Sequence, residues 1–191
     1  PTAYVDVMVK LGDNNYIGPF CHLTGELTVG DNNRFEGHCS VGTRPEHMNY
    51  WHKGGKTKIG NDNLLMANVH VAHDCVLGDH VIIANNVALA GHVHVGDYAI
   101  LGGFTAVHQF CHIGPHCMTG AGSVVLKDIP AYVMANGNSV SPHGMNTEGL
   151  KRRGFSESAI RNLRQAYKII YRQGLTLDAA IARLNEMSVD S

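Results

Sequence analysis

The sequence predicts a β fold: a parallel β-helix of hexapeptide repeats with a small C-terminal α-helical cap. Three observations predict it. Every sixth residue from Val5 is apolar (Val5, Leu11, Ile17, Leu23, Val29, Phe35, Val41). The phase resumes at Ile59 and runs through Leu65, Val71, Leu77, Ile83, Leu89, Val95, Leu101, Val107 and Ile113, slipping at Thr119 before Val125. Gly-Asp or Gly-Asn pairs recur 18 residues apart at Gly12 and Gly30 and again at Gly60, Gly78 and Gly96, with Gly114 continuing the series. After Pro130 the period stops and helical spacing takes over.

A six-residue period fits neither an α-helix nor an isolated hairpin, but it fits one short strand and one bend per hexapeptide. Three hexapeptides make a coil of 18, and successive coils stack at the spacing of paired strands, about 4.8 Å. Residues 18 apart in sequence therefore become neighbours in space. Glycine is expected at the corners, where the chain turns tightly without a Cβ penalty. The β-helix is expected over 1–130, with 43–58 ("TRPEHMNYWHKGGKTK") extruded as a loop from one corner; it carries the single Trp and both signs of charge. Residues 131–155 read as an irregular connection, and 156–191 as C-terminal helices. In the first helix Ile160, Leu163, Tyr167, Ile170 and Tyr171 mark one face, ending near Gly174. Thr176 caps the second, with Leu177, Ile181 and Leu184 on its buried side.

The 191 residues suffice for one domain with an appendage, and a net charge of −1 argues against general attraction to nucleic acid or anionic membrane. No apolar run reaches bilayer-spanning length, and no charged-then-apolar leader opens the chain, which begins at Pro1. A cytoplasmic protein without a transmembrane segment is expected.

The five cysteines, Cys21, Cys39, Cys75, Cys111 and Cys117, each lie two residues before a ladder position and so point inward as packing residues. Neither disulfides nor a metal are expected. Within the repeat up to Pro130, and outside His47, none of the histidines falls on an inward-facing phase. His80 and His116 share a corner, and His22, His94 and His112 are expected on one face. His73 has richer company: adding 18 gives Gly91, and adding 18 again gives Gln109. Asp74 falls beneath His92, His108 precedes Gln109, and His70 lies three residues before His73. One patch thus collects His70, His73, Asp74, Gly91, His92, His108 and Gln109.

A neutral imidazole removes a proton from a hydroxyl attacking a carbonyl, and a neighbouring carboxylate holds the ring in the required tautomer. His73 is the base this patch offers and Asp74 its orienting group, acting directly or through a backbone or water contact. A bare Gly91 amide one coil above is placed to meet an oxyanion. No serine or cysteine stands outward beside His73, so direct attack by a bound acceptor is expected rather than a covalent acyl-enzyme.

The stretches "NDNLLMANVHVAHDC", "ANNVALAGHVHVGDYAILGGFTAVHQFC" and "NTEGLKRRGFS" resemble the UDP-N-acetylglucosamine acyltransferases of lipid A biosynthesis, within the hexapeptide-repeat acyltransferases. The resemblance is close from Ile59 to Leu177 and looser before that. It implies a left-handed β-helix, a homotrimer with active sites in the clefts between subunits, and no cofactor. It also implies transfer of a fatty acyl group, often 3-hydroxylated, from acyl carrier protein to a hydroxyl or amine of a UDP-sugar. By motif, His73 matches the general base, Asp74 the acid beside it and Gly91 the oxyanion-side donor. His70, His92, His108 and Gln109 match the substrate cleft, and Asn146, Glu148, Arg152 and Arg153 the nucleotide-binding segment. Ala121 matches the position that sets acyl-chain length. Arg161, Arg164, Lys168 and Arg172 form a basic set suited to the acidic surface of acyl carrier protein.

The sequence departs from the family in being shorter before Ile59 and after Met187, like a shortened member or paralogue. The family's acidic and lysine sugar contacts have no clear counterpart, Glu46, Lys53 and Lys56 being the candidates. Two rival readings follow: a carbonic-anhydrase-like zinc β-helix enzyme with three histidines across a subunit boundary, and a non-catalytic UDP-sugar-binding paralogue.

Overall fold

The computed structural model describes residues 2–46, 49 and 55–189. The chain divides into two compact units, Pro1–His143 and Gly144–Ser191.

The first unit is a parallel β-helix whose three sheets hold seven, six and eight strands among the described residues. Its first face stacks Tyr4–Val5, His22–Leu23, Ser40–Val41, His70–Val71, Ala88–Leu89, Ala106–Val107 and Val124–Val125. The second face includes Val76–Leu77, His94–Val95 and His112–Ile113; the third includes Ile82–Ile83, Ile100–Leu101 and Met118–Thr119. Register follows the 18-residue step, pairing His70 with Ala88, Val76 with His94 and Ile82 with Ile100. Ladder residues fill the interior: Leu23, Val41, Val71, Leu89, Phe35, Leu65, Ile83 and Leu101 are wholly buried. In the first coil Val5 and Leu11 are exposed. Thr119 interrupts the apolar ladder without leaving its hydroxyl stranded. It sits 2.9 Å from the Thr105 hydroxyl and accepts the Gly102 N–H at 3.0 Å. Truncating Leu89 to alanine, with no slack around it, is expected to cost about 2–5 kcal/mol, read as a lower denaturant midpoint at unchanged slope.

The corners turn differently from the expectation. The glycines of the Gly-Asp/Asn pairs are not in the left-handed region; the positive φ falls two residues later, at Asn14, Asn32, Asp62, His80, Tyr98 and His116. Those glycines are needed because the next coil passes too close for a side chain. A Cβ on Gly12 would stand 2.7 Å from the Gly30 carbonyl oxygen, and one on Gly60 2.6 Å from that of Gly78. The paired Asp or Asn then ties the coils together: Asp13, Asp31, Asn61 and Asp79 N–H groups donate to the side chains of Asp31, Asn61, Asp79 and Asp97 in turn. Left-handed corners are otherwise costly for residues with a Cβ. Here they are over-determined by amide bonds to the coil below, such as Tyr98 N–H to Asp79 O at 2.9 Å. Ring stacking adds to this along His80, Tyr98, His116 and Tyr132, with centroids 4.5–5.5 Å apart.

The excursion after Val41 is shorter than 43–58, because Lys56–Ile59 is already a strand paired with Glu26–Val29. His47, Trp51 and Lys53 lie outside the described residues. The excursion also lengthens that coil, so Ser40 pairs with His70, 30 residues on. His22 therefore belongs to the first face, not with His94 and His112 on the second. Residues 131–155 are not irregular: Val133–Asn136 continues the third face beside Met118–Thr119, Ser141–Met145 is a further strand, and Thr147–Arg152 is a helix. The apolar phase is lost there because the register shortens to 16 residues, pairing Met118 with Met134.

The second unit contains helices α1 (Thr147–Arg152), α2 (Glu157–Arg172) and α3 (Leu177–Val189), with α2 in contact with both others. Ser156 caps α2, accepting from Ala159 N–H at 3.1 Å. The buried side of α2 carries Ile160 and Ile169, whereas Ile170 is exposed. Thr176 caps α3 as expected, its hydroxyl accepting the Ala179 N–H at 3.4 Å. Ala180 is the buried residue there, while Leu177 and Ile181 face outward. Among the described residues no helix is long and apolar enough to cross a membrane.

Candidate active site

The predicted patch forms at the corner between the first and second faces. Asp74, His92 and Phe110, one per coil, occupy its left-handed position with φ of 59°, 63° and 67°. This turn resolves the geometry of two adjacent side chains, which on a flat strand would point apart. At the corner, Asp74 folds back so that His73 Nδ1 lies 2.8 Å from Asp74 Oδ2, a direct hydrogen bond. A carboxylate oxygen only accepts, so Nδ1 carries the proton and Nε2 presents its lone pair. His92 Nε2 is 3.7 Å from the same Oδ2, and its ring meets His73 edge-on at 5.2 Å. The second oxygen, Oδ1, accepts the backbone N–H of Lys56 at 2.9 Å. Burial pushes the Asp74 carboxyl up, but the hydrogen bonds from His73 and the Lys56 N–H, with the charges of His92 and His73, outweigh it and hold the group below its ordinary range. Asp74 thus stays a carboxylate.

Gly91 lies immediately above the His73 ring. A Cβ there would stand 2.6 Å from Nε2, and closer still to Cε1. This corrects the expected arrangement in one respect: ring and glycine are in contact, so no carbonyl fits between them. Both are reached together only from the outer side of the corner. Gly91 is buried, its carbonyl accepts from Phe110 N–H at 3.1 Å, and the flanking Ala90 and His92 N–H groups donate within the helix. Among the described residues, the Gly91 N–H has no acceptor.

Of the other cleft residues, His70 is half-buried on the first face. Burial lowers its pKa, Glu46 opposes that, and the His73 charge lowers it further; the net shift is downward, leaving a neutral ring at neutral pH. His108 and Gln109 are exposed two coils above. The His108 Nδ1 faces the Gln109 carbonyl at 3.1 Å, so Nδ1 carries the proton and Nε2 points outward. Ala121 is exposed at the opposite corner, between the third and first faces, and is not gathered with His73. In the second unit Asn146 is buried and its side chain caps α1, accepting from Gly149 N–H at 3.2 Å. Glu148 accepts from Lys151 Nζ at 2.9 Å, a bond that holds its carboxyl low. Arg152 is exposed and Arg153 half-buried. Arg161, Arg164, Lys168 and Arg172 are exposed along α2.

Gly55 and Phe110 lie outside the expected set, and Lys56, expected only as a candidate sugar contact, takes part in another way. Gly55 lies one coil below His73, and a Cβ on it would stand 2.5 Å from Asp74 Oδ2. Lys56 serves through its backbone, while its ammonium sits 3.9 Å from Glu26. Phe110 stacks on His92 at 4.7 Å and 15°. All three were findable, because the 18-residue step leads down from His73 and Asp74 to Gly55 and Lys56, and up from His92 to Phe110. Gly55 also lines a cleft of about 880 Å³ with Tyr4, His22, Ser40, Arg44 and Glu46, below the His73 corner.

The cysteines are buried and free. Their thiols donate to carbonyls of the next coil, as Cys21 does to Glu36 O at 2.8 Å and Cys75 to Ala90 O at 3.2 Å. Burial pushes the Cys39 thiol up to about 12 and Cys75 and Cys117 to about 11, so these three are thiols and not nucleophilic thiolates at neutral pH. Among the described residues one group has donor atoms close enough to share a metal ion: His73, Asp74 and His92.

Two family profiles match the chain: bacterial transferase hexapeptide (six repeats) over 56–91, and UDP-N-acetylglucosamine O-acyltransferase, domain 2, over 128–191. A curated relative, the acyl-[acyl-carrier-protein]–UDP-N-acetylglucosamine O-acyltransferase of Thiobacillus denitrificans, is 46% identical over 178 residues. The match takes in 92% of this chain but 66% of that protein's length. The crystal structure of the UDP-N-acetylglucosamine O-acyltransferase of Moraxella catarrhalis superposes with a TM-score of 0.87 at 39% identity, covering 96% of this chain and 74% of that one. That of Acinetobacter baumannii superposes with a TM-score of 0.81 at 36% identity, covering 100% and 90%. With the hexapeptide coil, the helical unit and these likenesses together, the chain belongs to the UDP-N-acetylglucosamine O-acyltransferase family.

Proposed function

We propose that the protein transfers a fatty acyl group, often 3-hydroxylated, from acyl carrier protein to a hydroxyl of a UDP-N-acetylglucosamine-type nucleotide sugar. An amine in the same place would use the same base. The His73–Asp74 hydrogen bond carries this reading, since it fixes the ring's orientation and tautomer with Nε2 presented at an accessible corner. His73 Nε2 takes the proton of the attacking hydroxyl as its oxygen bonds to the thioester carbon. The Gly91 N–H receives the negative charge that develops on the carbonyl oxygen. Collapse breaks the carbon–sulfur bond, and the imidazolium, stabilised by Asp74, returns the proton to the departing thiolate. The energy-rich thioester drives the transfer, and no cofactor enters.

The cleft below the corner suits the polar acceptor: Tyr4, His22, Ser40, Arg44 and Glu46 offer donors and acceptors around it. Arg152 and Arg153 suit a diphosphate through forked, charge-assisted bonds. The exposed basic residues of α2 suit an acidic carrier protein, and a homotrimer in the cytoplasm is the setting the family reading supplies.

Mass spectrometry of reactions with acyl carrier protein thioesters of several lengths and a panel of UDP-sugars tests the proposal. An acylated UDP-sugar is the expected product. Binding of the sugar with no product across the panel would instead identify a non-catalytic paralogue. Asp74→Asn, which keeps the shape but frees the ring to adopt the wrong tautomer, is expected to lower kcat about a hundredfold or more while UDP-sugar binding holds.

A further inference from the structure

We propose that His73, Asp74 and His92 form a binding site for a divalent transition-metal ion of the zinc class, and that its occupancy switches the base off. Three donor atoms converge on one point of the corner. His73 Nδ1 and His92 Nε2 approach Asp74 Oδ2 at 2.8 and 3.7 Å, and one donor atom from each residue lies within 4.8 Å of the others. Bonds of about 2.0–2.2 Å to a common ion place neighbouring donors roughly 3–4 Å apart, which these side chains reach with small rotations. The donors are also held in place. Phe110 stacks on the His92 ring, and the Lys56 N–H holds the other carboxylate oxygen, the kind of outer support that orients metal ligands. The side chains are 19%, 30% and 43% exposed, so an ion enters from solvent and water completes its coordination. Two imidazoles and one carboxylate favour zinc, copper or nickel over magnesium or calcium, which prefer all-oxygen sites.

The consequence for His73 is a matter of proton count. A neutral imidazole carries one N–H. With Nδ1 on the metal in place of its hydrogen bond to Asp74, that proton must reside on Nε2. The nitrogen that would accept the acceptor's proton then has no free lone pair, and the carboxylate that stabilises the imidazolium is spent on the ion. The switch rests on the acyl-transfer reading; metal binding does not.

Cobalt(II) titration of the purified protein tests the site, because a low-coordinate cobalt ion absorbs visibly. One ion per chain, displaced by zinc, is expected. His92→Asn keeps a residue tolerant of the left-handed corner and is expected to weaken binding at least about tenfold. His112→Ala, which breaks the separate His94–His112 ring pair on the second face, is expected to leave binding unchanged. Absence of the band in wild type, or an equal band in His92→Asn, overturns the site. Histidine ring NMR signals of His73 and His92 that fail to move on zinc addition overturn it as well. Acyl transfer that proceeds undiminished with zinc bound overturns the switch. A wild type that binds cobalt yet transfers no acyl group in its metal-free form overturns the acyl-transfer reading alone.

Discussion

His73→Gln is expected to lower kcat by about a hundredfold to ten-thousandfold, the range general-base catalysis supplies, while leaving the fold intact. His73 stands outside the apolar ladder on the outer surface of the helix, with 19% of its side chain exposed, so no core packing is lost. Glutamine preserves much of the volume and a polar contact to Asp74 but offers no basic nitrogen. The KM for UDP-sugar should change little, because the proton is taken only as the new bond forms. Steady-state kinetics with matched thermal unfolding curves checks both halves. Equal turnover by the variant would remove His73 from the chemistry.

Gly91→Ala is the second change of large expected effect, and it acts through space rather than through a missing group. The backbone at Gly91 is not in the left-handed region, so alanine is acceptable to the chain itself. The added methyl falls 2.6 Å from His73 Nε2, and the ring must swing away from its hydrogen bond with Asp74. Loss of a poised geometry of this kind is expected to cost about a hundredfold or more in kcat, with overpacking destabilising the protein by about 1–3 kcal/mol. Combining it with His73→Ala should return most of that stability, because the clash disappears, while activity stays lost. Additive stability losses in such a double-mutant cycle would show that the two residues do not touch.

The coil and the gathering of residues at the His73 corner are legible because both follow from one number. An 18-residue step stacks Val71 on Leu89 and places Gly91 on His73, and parallel pairing enforces that step wherever coils are regular. Reading failed where the step changes length. The stretch after Val41 adds residues to one coil, so His22 moved to another face; the 16-residue register at Met118 concealed the strand Val133–Asn136. The reason for the corner glycines is not legible, because sequence shows that a Cβ is excluded but not whether conformation or a neighbouring coil excludes it. At Gly12 and Gly60 it is the neighbour. The direct His73–Asp74 bond was one of the alternatives left open, since it depends on a left-handed φ at Asp74 that no residue type dictates. In the helical unit, periodicity marked α2 but chose Ile170 over Ile169. The two differ by one position, and helical pattern alone does not fix the rotation of a helix against its neighbours.

The central claim is that one corner of this β-helix, built from His73, Asp74 and Gly91 on successive coils, opens a thioester for a sugar hydroxyl. A crystal structure with the acylated UDP-sugar product bound tests it most directly. The account predicts the ester oxygen within about 3 Å of His73 Nε2 and the ester carbonyl oxygen within about 3 Å of the Gly91 N–H, on the outer side of the corner. An ester bound at another corner, or facing that corner with its carbonyl turned away from Gly91, would contradict it.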